Sequence, residues 1–208
     1  MSPTKSKPRV AFQGEHGAFS EEAALKVFGP DIELVPRPTF AALFSSIDEG
    51  LADYLVAPVE NSIIGPIRQS VELMQQSSLT KAGEVVIPIA QHLIACPGVS
   101  FSEIEVVQSH PAALAQCGQF FAAHPYLRKV EAEDTAGSVA QIIKRGDRGV
   151  AAIAGIRAAQ IYGATVVKAD IQDDPKTYTR FAVLAATSAA AAAISGTKET
   201  KRKSTNAR

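Results

Sequence analysis

Short apolar runs alternate with amphipathic stretches along most of the chain, and polar turns separate them. The apolar runs have the length of strands, and the amphipathic stretches have the length of helices. The predicted strands are RVAFQ (9–13), IELVP (32–36), YLVAPV (54–59), EIEVVQS (103–109), LRKVEAE (127–133), GVAAIA (149–154), TVVKADIQ (165–172) and RFAVLA (180–185). Strands that alternate with helices predict an α/β fold with mainly parallel sheets.

Local signals mark several helix boundaries. Ser20 and Thr39 are predicted to cap helices, and Asp134 or the residue after it is predicted to cap another. Pro66 and Pro111 are predicted to open helices, because proline is tolerated in the first turn.

The apolar segment VVIPIAQHLIA (85–95) predicts a long strand that crosses between two lobes. We expect lobe 1 to contain residues 9–86 and 166–185, because the last strands return to it, and lobe 2 to contain residues 87–165. Residues 1–185 then form the ordered domain. Residues 186–208 are rich in alanine and then in basic residues, which predicts a disordered tail.

Composition excludes several classes of partner. Lys+Arg and Asp+Glu are 21 each and Trp is absent, so neither charge nor stacking favours nucleic acid. No secretory signal or membrane-length apolar segment is evident, which predicts a cytoplasmic protein that does not bind membranes. Cys96 and Cys117 lie in apolar stretches and are predicted to be buried free thiols. The four histidines lack the spacing of metal ligands, so no metal site is expected.

Unusual polar groups follow the predicted strands, where open α/β folds bind ligands. They are Glu60, Asn61, Ser62, Ser109, His110, Thr135, Gly155 and Thr179. We expect them to face one cleft between the lobes. Hydroxyls, amides and helix N-termini suit a carboxylate ligand. The pattern alone therefore predicts a two-lobed α/β protein that closes on a small acidic molecule.

Longer strings give a sharper prediction. They are VAFQGEHGAFSEEAA, ADYLVAPVENSIIG, GEVVIPIAQHLIACPGV, VQSHPAALAQC, EDTAGSVAQI, AAIAGIRAAQIYG and IQDDPKTYTRFAVLA. In this order they cover nearly all of residues 9–185 and resemble the catalytic domain of prephenate and arogenate dehydratases. PVENS, SHP, DTAG and TRF at this spacing are together highly specific. The resemblance implies a two-lobed fold similar to type-II periplasmic binding proteins, with the active site in the inter-lobe cleft.

The resemblance also implies an activity. Prephenate dehydratases convert prephenate to phenylpyruvate, water and carbon dioxide in L-phenylalanine biosynthesis, and aromatisation drives this reaction without a cofactor. Two alternatives stay open, namely an arogenate dehydratase that gives phenylalanine directly and a non-catalytic binding module for an aromatic precursor. The family further implies a homodimer or homotetramer, and usually a regulatory ACT domain, which we expect this protein to lack unless the chain is a fragment.

The family motifs assign roles to individual residues. Thr179, of TRF, is expected to hydrogen-bond or protonate the departing hydroxyl, with Glu60 and Asn61, of PVEN, as further catalytic residues. A carboxylate such as Glu60 helps near a dianionic substrate only if it is protonated or turned aside. The residues expected to bind substrate are Ser62, Ser109, His110, Thr135, Ala136, Gly137 and Arg180. Arg180 either pairs with a substrate carboxylate or braces the preceding loop through Asp173 or Asp174.

Three positions depart from the family pattern. Ala112 stands where the family has a glutamine after SHP, and Thr177 replaces an asparagine before TRF. The usual Gly-Gly-Ser after PVENS is Ile64-Gly65-Pro66 here. Loss of the glutamine removes one potential hydrogen bond to the substrate. These changes predict weaker turnover rather than a different fold.

Overall fold

The computed structural model describes residues 7–192 and residue 194. The strands and helices in chain order are β1 (Arg9–Gln13), α1 (Phe19–Phe28), β2 (Glu33–Arg37), α2 (Phe40–Ser45), β3 (Tyr54–Asn61), β4 (Gly65–Pro66), α3 (Arg68–Gln76), β5 (Thr80–Pro88), β6 (His92–Ala95), β7 (Val106–Ser109), α4 (Pro111–Ala115), α5 (Gly118–Ala123), β8 (Arg128–Glu131), α6 (Thr135–Arg145), β9 (Val150–Ala154), α7 (Ile156–Tyr162), β10 (Thr165–Lys168) and β11 (Tyr178–Ala185). They divide into two compact units, each with its own sheet. None of the helices in the described part of the chain has the length and apolar character that a membrane crossing needs.

The first unit contains residues 23–87, the strand β1 and the described residues from 179 onward. Its sheet has the order β2-β1-β3-β11-β5, and the short β4 pairs with β3. Strand β1 is parallel to β2 and β3, whereas β11 runs antiparallel to β3. One face of the sheet packs against α2 and α3 through a buried cluster of Ala11, Leu43, Phe44, Ala52, Leu55, Ala57, Ala182 and Leu184.

The second unit contains residues 14–22 and 88–178. Its sheet has the order β10-β6-β9-β7-β8. Strand β7 is parallel to β8 and β9, and β6 is antiparallel to β9 and β10. The core includes Leu93, Val107, Leu114, Cys117, Phe121, Leu127 and Ile153, which pack between this sheet and the helices. Cys96 and Cys117 are buried free thiols, as predicted.

The predicted α/β fold is confirmed, and each sheet contains antiparallel as well as parallel pairs, so the sheets are mixed rather than mainly parallel. The lobe boundaries also differ from the prediction. Residues 166–178 belong to the second unit because β10 pairs with β6 and the Ile171 amide donates to the Gln91 carbonyl. Residues 14–22 belong there as well, because Gly17 lies so close to α7 that an added Cβ would come within 2.7 Å of Ala158 Cα.

The predicted strand 85–95 is two strands, β5 and β6. The intervening amides bond elsewhere: the Ile89 N–H donates to the Thr177 carbonyl and the Gln91 N–H to the Gln172 side chain. Pro66 does not open a helix, because it pairs with Glu60 in β4 and α3 starts at Arg68.

Of the other predicted helix boundaries, the one at Ser20 was wrong and the other three are confirmed. Ser20 lies inside α1 rather than capping it, since that helix begins at Phe19. Thr39 caps α2 by accepting a hydrogen bond from the Ala42 amide, as predicted. Pro111 starts α4 and Asp134 caps α6, also as predicted.

The predicted tail begins with ordered structure. Residues 188–192 are helical, and Ala191 is buried. Thr187 starts this turn by accepting the Ala190 amide at 3.2 Å, and alanine then continues it because it is the best helix former. Residues 193 and 195–208 of the predicted tail lie outside the described residues.

Candidate active site

Asn61 and Thr179 form a buried pair at adjacent ends of β3 and β11. They are directly opposite each other in the strand register, and the Asn61 Nδ2 donates to Thr179 Oγ1 at 3.0 Å. Both residues are almost completely buried, with 6% and 8% of their surface exposed. The structure therefore joins the PVENS and TRF motifs through side chains that lie 118 positions apart in the sequence.

The turn after β3 fixes the orientation of the Asn61 amide. Its Oδ1 accepts hydrogen bonds from the backbone N–H groups of Ile63 and Ile64, at 3.0 and 3.3 Å. This leaves the amide nitrogen, which can only donate, directed at Thr179. Thr179 Oγ1 is therefore the acceptor of that bond, so the hydrogen of its own hydroxyl is not used by Asn61.

Glu60 and Arg180 form a second cross-strand pair, joined by an ion pair between Oε2 and Nη2. Successive side chains in a strand point to opposite faces of the sheet. Arg180 therefore shares a face with Ala182, which packs in the cluster under α2 and α3, whereas Thr179 lies on the opposite face. Of the three residues predicted to be catalytic, the structure brings Asn61 and Thr179 together and pairs Glu60 with Arg180 instead.

Neither predicted partner of Arg180 matches this ion pair. The Asp173 carboxylate accepts the amides at the start of α5, from Gly118 and Gln119, both at 2.8 Å. Asp174 accepts the Lys176 amide. Sequence reasoning missed the Glu60 partner because it depends on the register between β3 and β11.

Ser109 and His110 end β7 in the second unit. The Ser109 hydroxyl is fully buried and donates to the Ile153 carbonyl at 2.6 Å, so it holds β7 to β9. His110 is exposed and caps α4, with Nδ1 accepting the Ala112 amide at 3.2 Å. Of this motif, His110 and Pro111 are exposed, whereas the Ser109 side chain is buried.

Thr135, Ala136 and Gly137 form the first turn of α6, after β8. The Gly137 amide was expected to be available to a ligand carboxylate, but it donates to the Asp134 side chain at 2.5 Å. A Cβ at Gly137 would come within 2.5 Å of that carboxylate, so a larger residue there would displace the Asp134 side chain from its capping position. A cavity of about 230 Å³ lies beside this turn, lined by Glu15, Ala132, Glu133, Asp134, Gly137, Ala140 and Gln141.

The positions that depart from the family pattern have clear surroundings. Thr177 is buried, and its hydroxyl donates to the Asp174 carbonyl at 2.7 Å, which closes the turn before β11. Ala112 is half-buried in the first turn of α4. Ser62, Ile63 and Ile64 form an exposed tip, so two large apolar side chains stand beside the Asn61–Thr179 pair.

The second unit also contains a buried ionic cluster that the sequence analysis did not identify. Glu21 is fully buried, with Oε1 paired to Arg157 Nε at 2.5 Å and Oε2 bonded to His16 Nδ1 at 2.8 Å. The neighbouring Glu22 has a raised pKa because it is partly buried, although the charge of Arg157 opposes the rise. Acidic residues in a first helical turn are ordinarily explained by the helix dipole, so the sequence alone does not distinguish a buried Glu21 from an exposed one.

The described part of the chain contains no candidate metal site. No group of three or more His, Cys, Asp and Glu side chains is arranged there to hold an ion.

Two mixed sheets and a buried amide–hydroxyl pair define an α/β protein whose candidate site offers a positioned hydroxyl donor. The family model described as prephenate dehydratase matches residues 10–189. The chain therefore belongs to the prephenate dehydratase family.

Individual relatives agree with this family. Over 180 residues the chain is 41% identical to arogenate dehydratase/prephenate dehydratase 1, chloroplastic, from Arabidopsis thaliana, covering 86% of this chain and 45% of that protein. It thus spans about half the length of the curated relatives it matches. Among solved structures, prephenate dehydratase from Arthrobacter aurescens in complex with L-Phe is 30% identical with a TM-score of 0.77, covering 85% of this chain and 60% of that one. GqqA, described as a novel type of quorum quenching acylase, is 26% identical with a TM-score of 0.76, covering 85% of this chain and 63% of that one.

Proposed function

We propose that this chain is a prephenate dehydratase, a carbon–oxygen lyase that forms phenylpyruvate, water and carbon dioxide in L-phenylalanine biosynthesis. Family membership supports the reaction class. The observation that carries the proposal is the hydrogen bond from Asn61 to Thr179, because it joins two family motifs into one donor group.

The proposed chemistry needs a hydrogen-bond donor at the leaving hydroxyl. The bond between the ring and its carboxylate breaks, its electron pair enters the ring, and carbon dioxide leaves. The bond to the ring hydroxyl breaks in the same process, and that oxygen takes a proton, supplied in the end by solvent water, and departs as water. Thr179 donates to this oxygen, and the hydrogen bond that it receives from Asn61 strengthens it as a donor.

A threonine hydroxyl is a weak acid, so Thr179 acts by polarising the leaving group more than by complete proton transfer. Positioned acids contribute roughly 10²–10⁴-fold to a rate. That range corresponds to about 3–5 kcal/mol of transition-state stabilisation. The remaining driving force comes from aromatisation of the ring, and we propose that the reaction needs neither metal nor organic cofactor.

The predicted substrate-binding residues remain proposals. We propose that Ser62, His110 and Thr135 contact the substrate, and that Ala136, whose side chain is fully buried, contributes only through its backbone. Ser109 and Gly137 act indirectly by stabilising the backbone that carries these residues, because the Ser109 hydroxyl and the Gly137 amide are already hydrogen-bonded within the second unit.

Arogenate is the alternative substrate, and it differs from prephenate by an amino group in place of the keto oxygen. The name of the Arabidopsis relative includes both activities. A binding module without turnover is the third possibility. Proteins of one fold can carry unrelated activities, and a direct assay of both substrates therefore has to decide.

The decisive experiment compares the wild type with Thr179→Val and Thr179→Ser near neutral pH, with a no-enzyme blank because prephenate decays in acid. Valine keeps the shape but removes the hydroxyl, so phenylpyruvate formation should fall by about 10²–10⁴-fold. Serine should retain much of it. Thr165→Ala, on the exposed edge strand β10, is the matched control and should leave the rate unchanged. Equal rates for Thr179→Val and wild type would refute the role of the hydroxyl, and blank-level rates with both substrates would favour a binding module.

We also propose, from the family resemblance, that the protein is a homodimer or homotetramer and acts in the cytoplasm. Light scattering on a sizing column would test the assembly, and a monomer mass would reject it. Fluorescent tagging in the source cell would test the location.

A further inference from the structure

The Glu60–Arg180 ion pair occupies the position directly next to the Asn61–Thr179 pair in the same two strands. The four residues form consecutive cross-strand pairs, with Arg180 opposite Glu60 and Thr179 opposite Asn61. Because side chains alternate between faces, the ion pair lies on the reverse side of the sheet from the Thr179 hydroxyl. Glu60 and Arg180 are thus adjacent to the donor group without sharing its face.

The register between the two strands changes immediately beyond this ion pair. Arg180 is opposite Glu60, but Phe181 is opposite Pro58, so Val59 has no partner on β11. An extra residue of this kind forms a β-bulge, where the ladder is interrupted and a strand bends. The end of β3 that carries Asn61 therefore lies beyond an interruption. On one side it pairs with β4, and on the other its position relative to β11 depends on the cross-strand contacts past the bulge.

The ion pair joins one terminal nitrogen of the guanidinium to the carboxylate and leaves Nε without a partner in the described part of the chain. Arg180 Nη2 meets Glu60 Oε2, while Arg180 Nε is buried with no hydrogen-bond partner among the described residues. Both side chains are partly exposed, at 39% and 32%. Partly exposed ion pairs contribute little to global stability, so the pair can be altered without unfolding the protein.

We propose that Glu60 and Arg180 are positioning residues: their ion pair holds the end of β3 in register beyond the bulge, so that Asn61 donates to Thr179. This inference rests on the proposed function for its kinetic consequences. It also reassigns Glu60, which the sequence places among the catalytic residues, to a support on the other face. The carboxylate is turned aside from a dianionic substrate by the direction of the strand and neutralised by Arg180.

Charge reversal tests the proposal directly. The variants are Glu60→Gln, Arg180→Met and the double variant Glu60→Arg with Arg180→Glu. Misplacement of a catalytic group by about 1 Å costs on the order of 10²-fold, so each single variant should lose about 10–100-fold in kcat. KM should stay within about threefold, and the shape of the pH profile should not change. The double variant should recover most of the lost kcat, because it restores the attraction across the strands.

The conservative variant Arg180→Lys provides a second test. A lysine ammonium can take the place of Nη2 opposite the Glu60 carboxylate, and it removes the buried Nε that has no hydrogen-bond partner among the described residues. Arg180→Lys should therefore keep most of the wild-type kcat. A loss as large as that of Arg180→Met would overturn the assignment of the positioning role to the charge of the ion pair.

Two other roles predict different results. If Glu60 moves a proton, Glu60→Gln removes a limb of the pH profile and the double variant stays inactive. If Arg180 binds a substrate carboxylate, Arg180→Met raises KM steeply and charge reversal does not rescue it. Either result overturns the proposal.

Hydrogen exchange separates this proposal from the proposed function. The amides of Ile63 and Ile64 donate to Asn61 Oδ1, so their protection reports the position of Asn61 without any turnover. Protection should fall by about tenfold in Glu60→Gln and return in the double variant. Unchanged protection in all variants would overturn the positioning role, even if the wild type is an active dehydratase. Restored protection would support it, even if the wild type is inactive.

Discussion

Replacement of Asn61 by aspartate would reverse one hydrogen bond and leave the shape of the side chain unchanged. Asn61 donates to Thr179 Oγ1 at 3.0 Å and accepts two backbone amides at the turn. A carboxylate can still accept those amides, but it cannot donate to Thr179. Thr179 would then donate its hydrogen to the carboxylate, away from the leaving hydroxyl of the substrate.

The expected loss in kcat follows from the one hydrogen-bond donor that Asn61→Asp removes. Loss of one preorganised donor in an active site costs about 10²–10³-fold in kcat, or about 2.7–4 kcal/mol. Asn61 is 6% exposed, and a charge there keeps two N–H donors plus the Thr179 hydroxyl. We therefore expect Asn61→Asp to lower the free energy of unfolding by about 1–3 kcal/mol and still to fold.

The assay is phenylpyruvate formation at neutral pH, with urea unfolding of each variant to confirm the fold. Gln75→Glu, on the exposed surface of α3, makes the same amide-to-carboxylate change and should keep wild-type kcat. Asn61→Ala removes the donor without creating a competing acceptor, so Asn61→Asp should be at least as slow. If Asn61→Asp retains kcat within about threefold of wild type, or if Asn61→Ala is clearly slower, the donor argument fails and the turn contacts matter more.

Three further predictions concern stability and reactivity. Glu21→Gln removes the buried charge that faces Arg157, and because that arginine is 30% exposed the loss should be about 1–3 kcal/mol by urea unfolding; an unchanged midpoint would contradict it. The hydrogen bond from Arg9 lowers the pKa of the Asp53 carboxyl, so the ion pair stabilises the fold above the unfolded pKa of about 3.9. This stabilisation is lost as pH falls through the folded pKa. Asp53→Asn should therefore flatten the acid limb of a plot of stability against pH, and identical limbs would contradict the prediction. Burial, aided by a nearby carboxylate, raises the pKa of Cys117 to about 12, so a thiol reagent at pH 8 should label it in urea but not in the native protein, as mass spectrometry would show.

Sequence patterns predicted the local structure more reliably than the pairing of strands. Thr39 and Asp134 act as helix caps because capping depends on a few neighbouring residues, which the sequence contains. The direction of β11 depends on how the chain returns after many intervening residues. An apolar run has the same composition in a parallel or an antiparallel position, so the mixed sheets could not be read from it.

For the candidate site too, the sequence predicted the residues but not how they pair across strands. The family motifs named Asn61 and Thr179, but only the strand register shows that one donates to the other. The separation of Thr179 from Arg180 was available from the sequence, since neighbours in a strand alternate between faces. The Glu60 partner of Arg180 was not, because a bulge at Val59 shifts the register by one residue.

The charged pair Glu60–Arg180 lies on one face of the sheet, and the neutral pair Asn61–Thr179 lies on the other. Like charges 4 Å apart repel by about 1 kcal/mol in water and about 4 kcal/mol at an effective dielectric constant of 20, so a carboxylate beside Thr179 would oppose a dianionic substrate. Asn61 and Thr179 supply neutral donors instead, while Glu60 faces the other way and is paired with Arg180. An amide and a hydroxyl do not titrate near neutral pH, so their contribution to kcat should be constant between about pH 6 and 8. A change in rate within that window would therefore have to come from a group outside the Asn61–Thr179 pair, and it should persist unchanged in Thr179→Ser.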